Sequence, residues 1–131
     1  MILIYIIGAY GAPTEEERKK NTDLAVQYAA LLNELGDGKV RSICPHLEYY
    51  TNAVKEMPEK FWRKSDLLVL SRCDAVACIP NWKGSEGSGD ELSYWMRLKG
   101  IERGTKRMLD LSSAKPEIRS ALKRIIREGA E

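Results

Sequence analysis

Two acidic side chains and one run of small residues carry the chemistry this chain is equipped to do. Residues 85–92 read Ser-Glu-Gly-Ser-Gly-Asp-Glu-Leu, and they follow an apolar run at 75–79 with the character of a buried strand. The segment opens an amphipathic stretch, which puts Ser85, Gly87 and Gly89 at a helix start. Backbone N–H groups at such a start point outward and carry partial positive charge. Glu91 comes about one turn further on, where the helix dipole favours the ionised carboxylate. A cradle of hydroxyls and glycines with an acid behind it suits a sugar or sugar phosphate. An ionised Glu91 has the chemistry of a nucleophile toward an anomeric carbon. A plainer reading competes with this one, because Ser88 and Glu91 also have the spacing of a capping box.

Asp66 is the second carboxylate, set in Lys64-Ser-Asp-Leu-Leu-Val-Leu70. Aspartate is a poor helix former and is seldom buried without a partner, so a solvated helix edge and a functional site are both open for it. Asp74 reads as a turn or cap residue. Tyr5 lies inside the first apolar run, where tyrosine is commonly core, yet its hydroxyl is within reach of a crevice beside Gly8. His46 is the only histidine. With Cys44 it offers too few ligands for zinc, so base recognition or a loop hydrogen bond suits it better. Tyr10, Tyr49, Tyr50 and Trp82 have faces on which a planar base stacks, although such aromatics most often pack. Asn81 sits beside Trp82 at the end of the third strand. Gly8-Ala-Tyr-Gly11 lacks the third glycine of a dinucleotide fingerprint, and there is no P-loop lysine pattern. Nucleotide hydrolysis and hydride transfer are therefore not indicated. Arg119, Lys123, Arg124 and Arg127 make a solvated basic face.

These residues need a frame, and the pattern supplies one by alternating strand with helix. Strands are expected at 2–7, 40–44 and 75–79, with a weaker one at 106–111. Thr14 and Glu17 form a capping box that starts a helix, whose apolar face is Leu24, Tyr28, Leu31, Leu32 and Leu35 and whose stop is Gly36. Pro45 closes the second strand, and a loop of about ten residues follows, carrying His46, Tyr49 and Tyr50. Pro58 suits the first turn of a second helix with Phe61, Trp62, Leu68 and Val69 at helical spacing. A third helix is expected over about 88–99. A last one starts near Ser113 and Pro116 and buries Ile118, Leu122, Ile125 and Ile126. This predicts one α/β domain over 1–131, a flavodoxin/Rossmann-like parallel sheet of four to five strands with helices on both faces. Such a sheet delivers the loops after its first three strands to one carboxyl edge, which brings together residues 8–11, Pro45-His46 and residues 81–91.

Composition bounds the reading. Of 131 residues 44% are hydrophobic and 31% charged, and the net charge of +2 gives no strong electrostatic argument for a nucleic-acid polymer or a membrane surface as partner, so neither is expected. The run at 2–7 is too short to span a bilayer and reads as a core strand of a cytoplasmic protein. Three cysteines without C-x-x-C spacing suggest reduced core thiols rather than a disulfide framework or a metal site.

Taken together, the residues resemble the nucleoside 2-deoxyribosyltransferase-like superfamily. It includes the 2'-deoxynucleoside 5'-phosphate N-hydrolases and related small bacterial and phage proteins. The resemblance runs from Tyr5 to about Lys99 and rests on three groups of residues: Tyr5-Ile-Ile-Gly8; Asp66-Leu67 with Cys73-Asp74-Ala75-Val76; and Ser85-x-Gly87-x-Gly89-x-Glu91-Leu92. It implies that Glu91 is the nucleophile, Asp66 the residue of sugar contact and proton transfer, and Tyr5 the group that orients the nucleophile. It implies Ser85 as a phosphate ligand, no metal or organic cofactor, and a homodimer or higher homo-oligomer. Gly8, Tyr10, His46, Asn81, Trp82, Gly87 and Gly89 complete the expected substrate-binding set. The phosphate-binding hydrolases carry serine and arginine just after the first-strand glycine, where this chain has Ala9 and Gly11. A phosphate would lose a hydroxyl and a bidentate donor there, with Arg18 or Lys19 as the available substitutes. The reading is cleavage or transfer of an N-glycosidic bond in a nucleoside or nucleoside 5'-monophosphate. A module that binds a nucleotide-derived ligand without altering it is the alternative.

Overall fold

A computed structural model describes residues 1–129. Strand β1 (Ile2–Ile7) lies between β2 (Val40–Ile43) and β3 (Ala75–Cys78), and β4 (Met108–Asp110) follows β3, giving the order β2-β1-β3-β4. Every pairing is parallel, and Tyr5 stands opposite Ile43 on one side and Val76 on the other. Unbroken apolar runs suit this sheet because both of its faces are covered. Side chains alternate between those faces. Ile2, Ile4 and Ile6 pack with Ala25, Ala29 and Leu32 of α1 (Glu15–Leu35) and with Ile118, Leu122 and Ile125 of α6 (Lys115–Gly129). Tyr5 and Ile7 turn the other way, onto Leu70 of α3 (Glu59–Ser71) and Trp95 of α4 (Glu86–Lys99). The fold is thus the expected α/β kind, flavodoxin/Rossmann-like, with four strands among the described residues.

Local chemistry sets the ends of the elements. The Thr14 hydroxyl accepts the Glu17 N–H at 3.2 Å and caps α1. Gly36 ends that helix as expected, with Asp37 and Gly38 at positive φ carrying the turn into β2. Asp74 is more than a turn residue. Its carboxylate accepts the Leu3 N–H at 2.8 Å, tying the approach to β3 onto β1.

Four expectations are corrected. The segment after β2 is not a loop but a 3-10 turn (Pro45–Leu47) leading into α2 (Glu48–Val54). Hydroxyls of Tyr49 and Tyr50 bond Glu15 and Asp23 and pin this short helix to α1, so these two tyrosines have a structural task. Helix α4 starts at Glu86 rather than Ser88, because Ser85 is the residue whose hydroxyl caps it. On α3, Phe61, Leu68 and Val69 are exposed, and Leu67 and Leu70 face inward instead. Finally, a short α5 (Ile101–Lys106) intervenes and β4 is shorter than the 106–111 expected. The Trp95 indole N–H donates to the Gly104 carbonyl at 3.1 Å, which fastens α5 to α4.

No helix among the described residues is long and apolar enough to cross a membrane. All three cysteines are free thiols, and burial pushes them up, Cys44 and Cys73 to about 11 and Cys78 to about 12. They stay protonated at neutral pH, which removes thiolate chemistry.

Candidate functional site

In this strand order the connections from β1 and from β3 leave toward opposite faces of the sheet. A crevice opens at such a switch point, beyond the carboxyl ends of the strands. Tyr5 reaches it from the middle of β1, fully buried, and its hydroxyl donates a hydrogen bond to Glu91 Oε2. The phenol is held neutral, chiefly by burial and then by the negative charge of Glu91. Glu91 lies on the second turn of α4. Because Ser85 is the cap, Glu91 is too far along to be the acidic member of a capping box, and that reading falls. Burial pushes Glu91 up to about 7, against the pull of the Tyr5 hydrogen bond, while Asp66 and Asp90 push it further up. It is therefore poised between its two forms near neutral pH, not held firmly ionised by the helix dipole as expected from the sequence.

Asp66 is half-buried on α3, near enough for its charge to act on both Tyr5 and Glu91. The two carboxylates, 25 residues apart in sequence, thus come close enough for the charge of Asp66 to act on Glu91. A third acid joins them. Glu48, the first residue of α2, lies near enough to feel the charges of Asp66 and Glu91. Both Glu48 and Asp66 are raised above the usual carboxylate range, Glu48 the more strongly, with burial the main cause. Among the described residues, no lysine or arginine figures in the charges acting on Glu48, Asp66 or Glu91. Glu48 was missed from the sequence because its segment reads as a loop. The available signal was its position two residues after His46, on the same carboxyl edge as Gly8 and Asn81. No three His, Cys, Asp or Glu among the described residues are grouped to hold a metal ion.

The remaining expected residues build the floor and rim. His46 is buried, and its Nε2–H donates to the Gly8 carbonyl at 3.0 Å. Burial lowers its affinity for a proton, so the ring is neutral and serves as a bracket between loops. The loop hydrogen bond, of the two roles foreseen for it, is the one observed. Asn81 Oδ1 accepts the Ala9 N–H at 3.1 Å, and Asn21 donates to the Tyr10 carbonyl at 3.2 Å. These bonds fix the turn after β1. Tyr10 packs edge-on to His46 at 6.0 Å, half-exposed, in the field of Glu48. Trp82 lies in the turn between β3 and α4, and with Gly89, Leu92 and Met96 of α4 and Ile101 of α5 it lines an open groove of about 710 Å³. A Cβ at Gly87 or Gly89 would meet nothing within 4 Å, so packing within the chain does not demand glycine at either place. Ser85 caps α4, Arg18 donates to the Ala12 carbonyl at 2.8 Å, and Lys19 pairs with Asp23.

Ser88 is the anomaly. It is 1% exposed, lies one turn before Glu91 on the same stripe of α4, and its hydroxyl has no hydrogen-bond partner among the described residues. An unpaired buried hydroxyl is costly, about 1–3 kcal/mol. Ser88→Ala is therefore expected to hold or raise the melting temperature while weakening substrate binding, read as a higher KM. A lower melting temperature with an unchanged KM would show that the hydroxyl has no ligand to serve.

Compared with family models, curated proteins and solved structures, the chain gives no match. What the fold and site define is a class by geometry alone: a parallel α/β domain with a buried tyrosine bonded to a half-buried glutamate and two further acids near its switch point.

Proposed function

We propose that the chain cleaves or transfers the N-glycosidic bond of a (deoxy)nucleoside or nucleoside 5'-monophosphate, with Glu91 as nucleophile. The carrying observation is the Tyr5–Glu91 hydrogen bond, with Asp66 near enough for its charge to act on both groups. Breaking a bond to C1' builds positive charge on the sugar, in an oxocarbenium-like transition state. A pocket of acids without a lysine or arginine is the field that such a charge requires. The same field opposes a phosphoryl group placed at the carboxylates, so a 5'-phosphate belongs at the rim, near Ser85 and the α4 N-terminus.

In this reading Tyr5 orients Glu91 and favours its ionised form, since a hydroxyl donates better to a carboxylate than to a neutral acid. Glu91 attacks C1' as the base departs. Asp66 holds a sugar hydroxyl. Water then releases the sugar from Glu91, or a second base takes it. The resemblance to the nucleoside 2-deoxyribosyltransferase-like superfamily supports this assignment, and membership of that superfamily and its homo-oligomeric habit are part of the proposal. Exposed Phe61, Leu68 and Val69 on α3 give an apolar surface for a second copy.

The test is release of free base from a panel of ribo- and deoxyribonucleosides and their 5'-monophosphates, separated by chromatography. Base release that disappears in Glu91→Gln is the expected result. Ligand-induced thermal stabilisation with no base released by any panel member would replace this reading with a binding module.

A further inference from the structure

The ends of three helices meet at the amino edge of the sheet, where Ile2 opens β1 and Arg107 directly precedes β4. Helix α4 closes at Gly100, whose φ of 84° turns the chain straight into α5. Helix α5 lies tight on α4, since a Cβ at Gly104 would come within 2.6 Å of Met96 Sδ. Arg124 of α6 donates to the Lys106 carbonyl at 3.1 Å. A Cβ at Gly129, where α6 ends, would stand 2.7 Å from Ile2 Cδ1 and 3.3 Å from Arg107 Nη1. Between these ends is a cavity of about 440 Å³, lined by Lys99, Arg103, Lys106 and Arg107 together with Glu102 and Glu128.

Its charges do not balance. Glu102 pairs with Lys106 at 3.3 Å, and Glu128 is drawn to Arg124 at 3.9 Å. Lys99, Arg103 and Arg107 form no ion pair among the described residues. Lys99 and Arg107 are half-buried, and the Lys99 ammonium is held 5.1 Å from the centre of the Trp95 ring. Helix ends favour cations, which accounts for a basic residue in each last turn. It does not account for setting them around one hollow, where like charges repel and lose part of their water.

We propose that this hollow binds a small molecule carrying a di- or polyphosphate, independently of the reaction proposed above. Two guanidinium forks, on Arg103 and Arg107, match phosphate oxygens in pairs, and the Lys99 ammonium adds a further donor. A volume in the range of small-ligand pockets has room for more than one phosphate. This anion site is not the 5'-phosphate position at the rim of the crevice. Lys99 ends the 14-residue α4 that Ser85 caps, so the two positions are about 21 Å apart.

The experiment is calorimetric titration of the full chain with inorganic pyrophosphate. Binding of one equivalent, tighter than about 1 mM and weakening as salt rises, is the expected result. Orthophosphate should bind at least about 10-fold less tightly, having fewer oxygens for two forks. Arg103→Gln and Arg107→Gln should each weaken pyrophosphate binding by about 10-fold or more. Lys60→Gln, which removes an equal charge from an exposed position on α3, should change it by less than about 2-fold. Arg103 is exposed, so its variant tests the site even where loss of Arg107 harms the fold. Glu91→Gln should bind pyrophosphate as wild type does, whatever the nucleoside panel shows. Absence of binding at about 1 mM, or losses in Lys60→Gln equal to those in the arginine variants, overturns the proposal. Tighter binding of an oligodeoxythymidylate through the same arginines overturns it in favour of a nucleic-acid surface.

Discussion

Glu91→Gln should abolish turnover and at the same time make the protein more stable above neutral pH. The first half follows from its place as the attacking group. Gln keeps the size and accepts the Tyr5 hydrogen bond, but it cannot form a glycosyl ester that water later hydrolyses. Losses at nucleophilic residues reach several powers of ten, so a fall of at least about 10³-fold is expected. Activity near that of wild type on a confirmed substrate would remove Glu91 from the mechanism.

The second half follows from linkage. An unfolded chain lets this glutamate ionise near 4.5, and the fold raises it to about 7, with burial as the first cause. The folded state therefore binds the proton more tightly than the unfolded state. The stability this contributes is fully present below about pH 4.5 and is lost as pH rises through 7. Above that, a buried carboxylate burdens the fold by about 1–3 kcal/mol, which Gln relieves. Melting temperature should thus rise by about 5 °C at pH 8 in Glu91→Gln and change little at pH 5. A loss of stability that is equal at both pH values would mean that the carboxylate is a structural element. The same titration predicts that kcat/KM in wild type climbs through about pH 7 on the acid side, because only the ionised form attacks.

A site that lowers stability when charged is what a sequence can announce only indirectly. The sheet was legible because residues 2–7 and 75–79 are apolar without interruption, which a strand buried on both faces requires. Its parallel order alone then carries Tyr5 and Glu91 to one edge. Asp66 was legible as an acid out of place in an apolar stretch. Glu48 was not, for a physical reason: α2 has no buried residue, so it lacks the apolar stripe by which helices are read. It is held instead by hydroxyl bonds from Tyr49 and Tyr50 to α1, contacts that no periodicity encodes. The inward face of α3 was misread because residues 61, 62, 68 and 69 and the pair 67 and 70 both fit helical spacing. Packing against Trp95 and Tyr5 decides between them. The start of α4 turned on which of two serines caps it. Ser85 does so, and Glu91 is thereby moved from a cap to a site.

Gly8→Ala is expected to damage fold and site together. A Cβ at Gly8 would fall inside the side chain of Ile79, which is completely buried, and 3.0 Å from Asn81 Oδ1. Ile79 packs in the core under α1 and has little room to withdraw. Overpacking of this kind costs about 1–3 kcal/mol, or a melting temperature lower by roughly 5–15 °C in a chain of this size. The turn that must shift is also the one whose carbonyl receives the His46 N–H and whose next N–H binds Asn81. Displacement there moves the crevice floor three residues from Tyr5. A misplacement of about 1 Å is enough to reduce turnover about 10²-fold. The loss of activity should accordingly persist at temperatures where the variant is still folded. Ile79→Val removes Cδ1, one of the two Ile79 atoms the added Cβ would strike, and keeps Cγ1, so the double variant should recover part of both losses. The two substitutions should be strongly non-additive. Simple additivity, or a Gly8→Ala protein that melts with wild type, would mean that β1 and β3 do not approach each other as closely as the register of Ile7 against Cys78 requires.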